Sequence, residues 1–257
     1  MPVPANNYQF KNKIVIDISM WEKDIFWDRL SPRPVGVITK ASEYTWTDPL
    51  VHEHCRNMTA GGFLRGIFHF FREDDVQQQI DLFLKLSREV GALVGNKWMF
   101  EFEPILDVEE TPKVIGRKYA AQLKFWLDGV EAATGLKPMI YTSENYFKFA
   151  CSFGLNIGTL APSWTGDYRL WCAQYPDQPD LQHAPYPLPA GWKEWTGWQY
   201  AADARFTGVP YDGVDINVFK DAYLSTISGE VGTFPGRIKS QNLFMSDGTI
   251  IKAKEIE

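Results

Sequence analysis

Ile105-Leu106-Asp107-Val108-Glu109-Glu110-Thr111-Pro112 decides how the chain reads, because a short apolar run ends in carboxylates just before a helix-start signal. In extended backbone, side chains two positions apart share a face, so Ile105, Asp107 and Glu109 point one way and Leu106, Val108 and Glu110 the other. Asp107 and Glu109 therefore look into one space. Thr111 and Pro112 suit an N-cap and a first helical position, which predicts a helix from Val114 onward. The carboxylates then stand where a strand passes into a helix, the rim on which barrel enzymes carry their chemistry. Taken alone, Asp-x-Glu is better read as a loop carboxylate beside a solvated charge, so the flanking chain has to decide.

Working outward, the same grammar repeats. Residues 13–19 form a β-branched run that ends in Asp17 and Ser19, residues 35–40 a second that continues to Glu43, and residues 64–70 a third with His69 near its end. Residues 137–142 end in Tyr141, residues 169–175 in Gln174 and Tyr175, and two last runs cover 195–200 and 214–219. Between the early runs the apolar spacing is helical over residues 24–30, 48–60, 76–90 and 114–134, the last with Tyr119, Leu123, Trp126, Leu127 and Val130 on one stripe and Gly135 as its stop. A short helix is expected over 144–151, and residues 176–191, rich in Pro, Asp and Gln, read as a long loop.

Eight strands, helices among the first of them and polar strand ends predict an α/β fold, a modified TIM-like β/α barrel with reduced helices in its second half. An open doubly wound sheet is the alternative, but no Gly-x-Gly-x-x-Gly follows any strand. Residues 1–221 are assigned to the barrel. Residues 222–257, where Asp247-Gly248 has the hairpin signature, form a short β-rich C-terminal extension that packs on the barrel or mediates an oligomeric contact.

Bulk properties narrow the function. The formal net charge is −6 and no basic block stands out, so nucleic acid is not an expected partner. Three cysteines without a Cys-x-x-Cys spacing indicate neither a disulfide framework nor a zinc site, and no metal or other cofactor is expected. No apolar run reaches membrane-spanning length, and the N-terminus shows no secretory signal. Ten Trp and eleven Tyr supply flat rings of the kind on which sugars stack, although the core must take most of them.

In order along the chain, Asp17-Ile18-Ser19-Met20-Trp21, Lys40-Ala41-Ser42-Glu43-Tyr44, Phe68-His69-Phe70, Asp107-Val108-Glu109 and Ile140-Tyr141-Thr142 are followed by residues 170–175 (Leu-Trp-Cys-Ala-Gln-Tyr), Trp198-Gln199-Tyr200 and Val214-Asp215-Ile216-Asn217. This series resembles the glycoside hydrolase family 25 lysozymes, the Chalaropsis-type N-acetylmuramidases, with Tyr44 in place of the family's Gly and Phe68 in place of its Tyr. The resemblance implies cleavage of the β-1,4 bond between N-acetylmuramic acid and N-acetylglucosamine in bacterial peptidoglycan and action at the cell wall; with no signal peptide visible, phage-type release or cytoplasmic synthesis before release is expected. It also implies Glu109 as general acid with Asp17, Asp107 and Asp215 as supporting carboxylates. Lys40, Glu43, His69, Tyr141, Trp171, Gln174, Gln199, Tyr200 and Asn217 are the expected substrate contacts. A non-catalytic glycan-binding barrel and a chitinase-like glycosidase are the competing readings.

Glycosidic cleavage needs a carboxylic acid to protonate the leaving oxygen and a second group to stabilise the oxocarbenium-like centre. Residues two apart on a strand have Cα atoms roughly 6.5–7 Å apart, between the retaining and inverting ranges, so spacing leaves the stereochemistry open. Because both carboxylates project from one strand, they approach the bond from one side. That geometry favours attack by the substrate's own 2-acetamido oxygen, with Asp107 orienting its N–H.

Overall fold

The computed structural model describes residues 13–113, 115–151, 161–176, 184–210, 213–228, 242–244 and 250–252. The chain runs β1 (Ile14–Ile18), β2 (Gly36–Glu43), β3 (Trp46–Thr47), α1 (Val51–Gly61), β4 (Leu64–Phe70) and α2 (Val76–Glu89). It continues through the small ribbon β5 (Leu93–Val94) and β6 (Lys97–Trp98) to β7 (Ile105–Asp107), α3 (Arg117–Thr134), β8 (Met139–Thr142) and α4 (Glu144–Cys151). Strands β9 (Leu170–Ala173), β10 (Gly197–Ala204) and β11 (Val214–Phe219) follow, then α5 (Asp221–Ile227) and the pair β12 (Asn242–Phe244) and β13 (Ile250–Lys252).

Alternation along these strands builds the barrel. Ile14, Ile16 and Ile18 of β1 pack outward with Trp27, Met58, Trp198 and Tyr200. Val15 packs inward with Ile38, Phe68, Ile105, Met139, Trp171 and Phe219. Strands β1, β2, β4, β7, β8, β9 and β10 pair in parallel in that order. Strand β11 closes the ring, pairing antiparallel to both β10 and β1. All eight strands read from the sequence are the barrel strands. The departure from an all-parallel barrel is β11, which descends from the rim that the other seven climb toward.

The bottom is plugged by aromatic side chains. Phe102 meets Phe219 at a centroid distance of 5.0 Å, and Tyr223 of α5 lies 5.7 Å from Phe219. A Cβ on Gly197 would stand 2.4 Å from the Phe219 ring, so the barrel wall admits that ring only where β10 lacks a side chain.

Three sequence expectations change. Residues 24–30 make only a 3₁₀ turn, Trp27–Arg29, because the backbone there bonds to another loop: Phe26 N–H donates to the Gly208 carbonyl at 2.7 Å and Ser31 N–H to that of Thr207 at 3.1 Å. Thr111 and Pro112 do not start a helix. Gly116, at φ 74°, is the residue from which α3 departs, since a positive φ cannot be continued into right-handed helix. Residues 221–227 are helical, not the beginning of a β-rich segment, because Tyr223 turns inward onto the barrel floor. Farther on, β12 and β13 pair antiparallel, and the predicted Asp247-Gly248 turn between them lies outside the described residues. No helix among the described residues is long and apolar enough to cross a membrane.

Candidate active site

A cleft of about 250 Å³ opens at the C-terminal ends of the parallel strands. Its polar wall holds the carboxyls of Asp17, Glu22, Asp107, Glu109 and Asp215, with Lys40 and Gln199; Trp21, Phe68, Phe70, Tyr141 and Trp171 supply rings. The strands put them there by parity. On five of the seven parallel strands the inward apolar residue is followed two positions later by a rim residue: Val15 then Asp17, Ile38 then Lys40, Phe68 then Phe70, Ile105 then Asp107, Met139 then Tyr141. Register aligns Phe70, Asp107 and Tyr141 across β4, β7 and β8. On the reversed strand the rim lies at the beginning, so Asp215 reaches it and faces Asp17 directly across the β1–β11 pair.

Crowding sets the protonation. Asp107 is 5% exposed, and burial, reinforced by the charges of Glu109, Asp17 and Glu43, holds its carboxyl well above the usual range against the pull of Lys40. Glu109 stands just past the end of β7 and has the most open surface of the four predicted carboxylates. Desolvation of its carboxyl at the rim, together with Asp17 and Glu43, still raises it. A group more than a third exposed as a residue can be desolvated at its tip, and the carboxyl is what titrates. Asp107 Oδ1 is buried and has no hydrogen-bond partner.

Behind the carboxylates lies a hydrogen-bonded second row. Gln199, 1% exposed, accepts from Tyr141 Oη at 2.7 Å and from Tyr175 Oη, and donates to Asp17 Oδ2 at 3.0 Å and Asp215 Oδ2 at 3.3 Å. Asn217 donates to Asp17 Oδ2 at 2.6 Å and accepts from Trp171 Nε1 at 2.8 Å. Lys40 pairs with Glu43, which Arg72 grips from its other side. Burial works to raise the Glu43 carboxyl, but the Lys40 and Arg72 hydrogen bonds outweigh it and hold the group low.

Of the thirteen residues expected at the site, Asp17, Asp107, Glu109, Asp215, Lys40, Tyr141, Trp171 and Gln199 line the cleft. Glu43 and Asn217 stand behind it and touch lining residues. Three belong elsewhere. His69 is fully buried on the outer face of β4, where Nδ1 meets Ser42 Oγ at 2.8 Å, Nε2 meets Gln79 Oε1 at 2.8 Å and the ring stacks on Trp126 at 5.5 Å. Burial lowers its pKa to about 4, so it is a neutral packing residue. Tyr200 packs outward with Trp198, and Gln174 is bonded to the backbone of Tyr186. Parity explains all three placements: His69 lies between the inward Phe68 and Phe70, Tyr200 follows the inward Gln199, and Gln174 is out of phase with Trp171. The in-phase neighbour of Gln174 is Tyr175, whose hydroxyl does reach Gln199.

The reading also missed Glu22 and Trp21. Glu22 Oε2 accepts from Ser19 N at 2.8 Å, and Trp21 is 73% exposed although it lines the cleft. An indole left open beside a polar cleft is the signal that could have found it. A placement test follows from His69. Replacing it by Leu leaves Ser42 and Gln79 short of a buried partner, which should cost roughly 2–4 kcal/mol of stability in urea titrations. Turnover by the folded fraction should change by less than about threefold, whereas a lining residue would change turnover at constant stability.

A barrel with five carboxyls crowded at its C-terminal rim, beside aromatic rings and a lysine, has the equipment of a glycosidase. The description "Glycosyl hydrolases family 25" matches residues 16–209, and the chain belongs to that family of glycoside hydrolases. It is similar to the uncharacterized protein YegX of Escherichia coli K12, 27% identical over 216 residues that cover 79% of this chain and 68% of that protein. It is also similar to lysozyme M1 of Streptomyces globisporus, 26% identical over 218 residues, covering 79% and 66% respectively. Among solved structures, a bacterial lysozyme from Streptomyces coelicolor shares the fold with a TM-score of 0.66 at 24% identity, covering 85% of this chain and 98% of that one.

Proposed function

We propose that the chain is a muramidase that hydrolyses the β-1,4 bond between N-acetylmuramic acid and N-acetylglucosamine in bacterial peptidoglycan, by a retaining, substrate-assisted route. Membership of family 25 and the similarity to lysozyme M1 support the substrate class. The observation that carries the mechanism is Asp107 Oδ1, buried in the cleft wall without a donor. A buried carboxylate oxygen left unpartnered costs free energy unless something arrives to bond it, and the N–H of a 2-acetamido group is such a partner.

The steps then balance. Asp107 and Glu109, both pushed upward, hold a proton between them in the free enzyme. Donation of the acetamide N–H to Asp107 favours its ionised form and leaves the proton on Glu109. Glu109 passes that proton to the bridging oxygen as the bond from C1 breaks. The acetamide carbonyl oxygen attacks C1, and Asp107 stabilises the positive charge that develops on the nitrogen. Water then opens the cyclic intermediate with the Glu109 carboxylate as base, which returns the original anomeric configuration. The Tyr141 hydroxyl proton is already given to Gln199, so toward substrate Tyr141 acts as an acceptor and an apolar wall.

Incubation with purified peptidoglycan and, separately, with chitin oligomers tests the reading. New reducing ends of N-acetylmuramic acid from peptidoglycan are the expected result. Release from chitin alone would make it a chitinase-like enzyme, and glycan retention with no release would make it a binding barrel.

A further inference from the structure

The cleft holds more carboxyls than the proposed mechanism uses, and two of them, Asp17 and Asp215, are directly opposed in the β1–β11 register and bridged by one amide, Gln199 Nε2, which reaches Oδ2 of both. Two carboxylates held this close and out of water repel each other, so the pair keeps a proton. The surrounding amides say where. Asn217 cannot be turned over, because its Oδ1 receives the Trp171 indole N–H, which only donates, and its Nδ2 donates to the Val15 carbonyl, which only accepts, at 3.1 Å. The remaining Nδ2 proton therefore points at Asp17 Oδ2, at 2.6 Å. Gln199 Nε2 adds a second donor to the same oxygen at 3.0 Å and reaches Asp215 only at 3.3 Å. Among the described residues, two short amide donors converge on Asp17 and one long donor serves Asp215.

We propose that Asp17 and Asp215 act as a single monoanion, with the charge on Asp17 and the proton on Asp215, so that Asp215 faces the substrate as a neutral carboxylic acid. Lys40 of β2 shares the cleft wall and the Tyr175 hydroxyl reaches Gln199, while Asp215 feels the like charges of Asp17 from β1, Glu22 from the turn after it and Glu109 from beyond β7. Burial first, and then these neighbours, push the Asp215 carboxyl up to about 10. Asp17 is raised by its own burial but relieved by the Asn217 and Gln199 hydrogen bonds. The functional consequence rests on the muramidase reading: a neutral Asp215 is neither nucleophile nor base, which removes it as a competitor of the substrate's acetamide for C1. What Asp215 offers a sugar is an uncharged acceptor, and the rim carries one negative charge fewer.

Two measurements test the pair without relying on turnover. In the full-length protein with ¹³C-labelled aspartate carboxyls, one side-chain signal should keep the shift of a protonated acid from pH 6 to pH 8 and be lost in Asp215→Asn. The sign for stability follows from a folded pKa above the unfolded one. Asp215 stabilises fully below about pH 4, and this contribution is lost progressively as pH rises toward 10. Asp215→Asn removes that loss, so the thermal midpoint of the variant should exceed that of the parent by a margin that widens from pH 5 to pH 9. Aspartate signals that are all ionised at pH 7, or a midpoint difference that stays flat with pH, would overturn the proposal. So would a glycosyl ester on Asp215 recovered by mass spectrometry from quenched turnover. If peptidoglycan were not cleaved at all while both titration signatures appeared, the muramidase reading would fall and the shared proton would stand.

Discussion

Glu109→Gln is expected to lower peptidoglycan turnover by roughly 10²–10⁴-fold, the range that removal of a positioned general acid produces. The cause is specific: an amide of the same shape keeps the rim packed but has no transferable proton for the bridging oxygen. Two further readouts separate this from misfolding. A glycoside whose leaving group needs no protonation should recover much of the lost rate in the variant. The thermal midpoint at pH 7 should equal or exceed that of the parent, since a carboxyl raised by burial and like charges costs stability wherever it is forced to ionise. The parent's own pH profile carries the same information. Activity should fall as pH rises through a titration above the usual carboxylate range, because that is where Glu109 loses its proton. A folded variant that keeps most of the lytic rate would remove Glu109 from the role of acid.

Asp107→Asn is expected to cost on the order of 10²–10³-fold in kcat, comparable to losing one preorganised electrostatic partner of the transition state. Asn presents an oxygen of similar position but no charge, so the acetamide is still bound while the positive charge developing on its nitrogen goes unbalanced. KM should therefore move much less than kcat. Substrates whose acetamide is made less nucleophilic by fluorination should be slow with the parent and show little further loss with the variant. Proton NMR of the first product to form should show retention at the anomeric carbon. Inversion would end the substrate-assisted route and return Asp107 to the task of orienting water.

The two carboxylates at the centre of both experiments were legible from residue types alone, because a β-branched run closed by Asp-x-Glu recurs in kind at the ends of β1, β2 and β8. Parity was equally available and was under-used. Phe68 and Phe70 flank His69, so a strand with two inward rings must turn the histidine out, and the same counting selects Tyr175 over Gln174. His69 and Tyr200 both stand in motifs, but a strand delivers only alternate members of a motif to one face. The Thr111-Pro112 signal failed for a different reason. Local capping chemistry predicts where a helix can start, whereas α3 departs only at Gly116, whose positive φ sets its first residue at Arg117.

By itself the sequence determined that eight strands exist, that their ends are polar, and that Asp107 and Glu109 share a space, since hydrophobic periodicity and alternation are local consequences of backbone geometry. Only the tertiary structure decided the direction of β11. Whether a strand pairs parallel or antiparallel depends on the loop that precedes it and on the two neighbours it must satisfy, and neither is written in its own six residues. That reversal brings Asp215 to the rim opposite Asp17 and lets Gln199 and Asn217 address the pair from beneath.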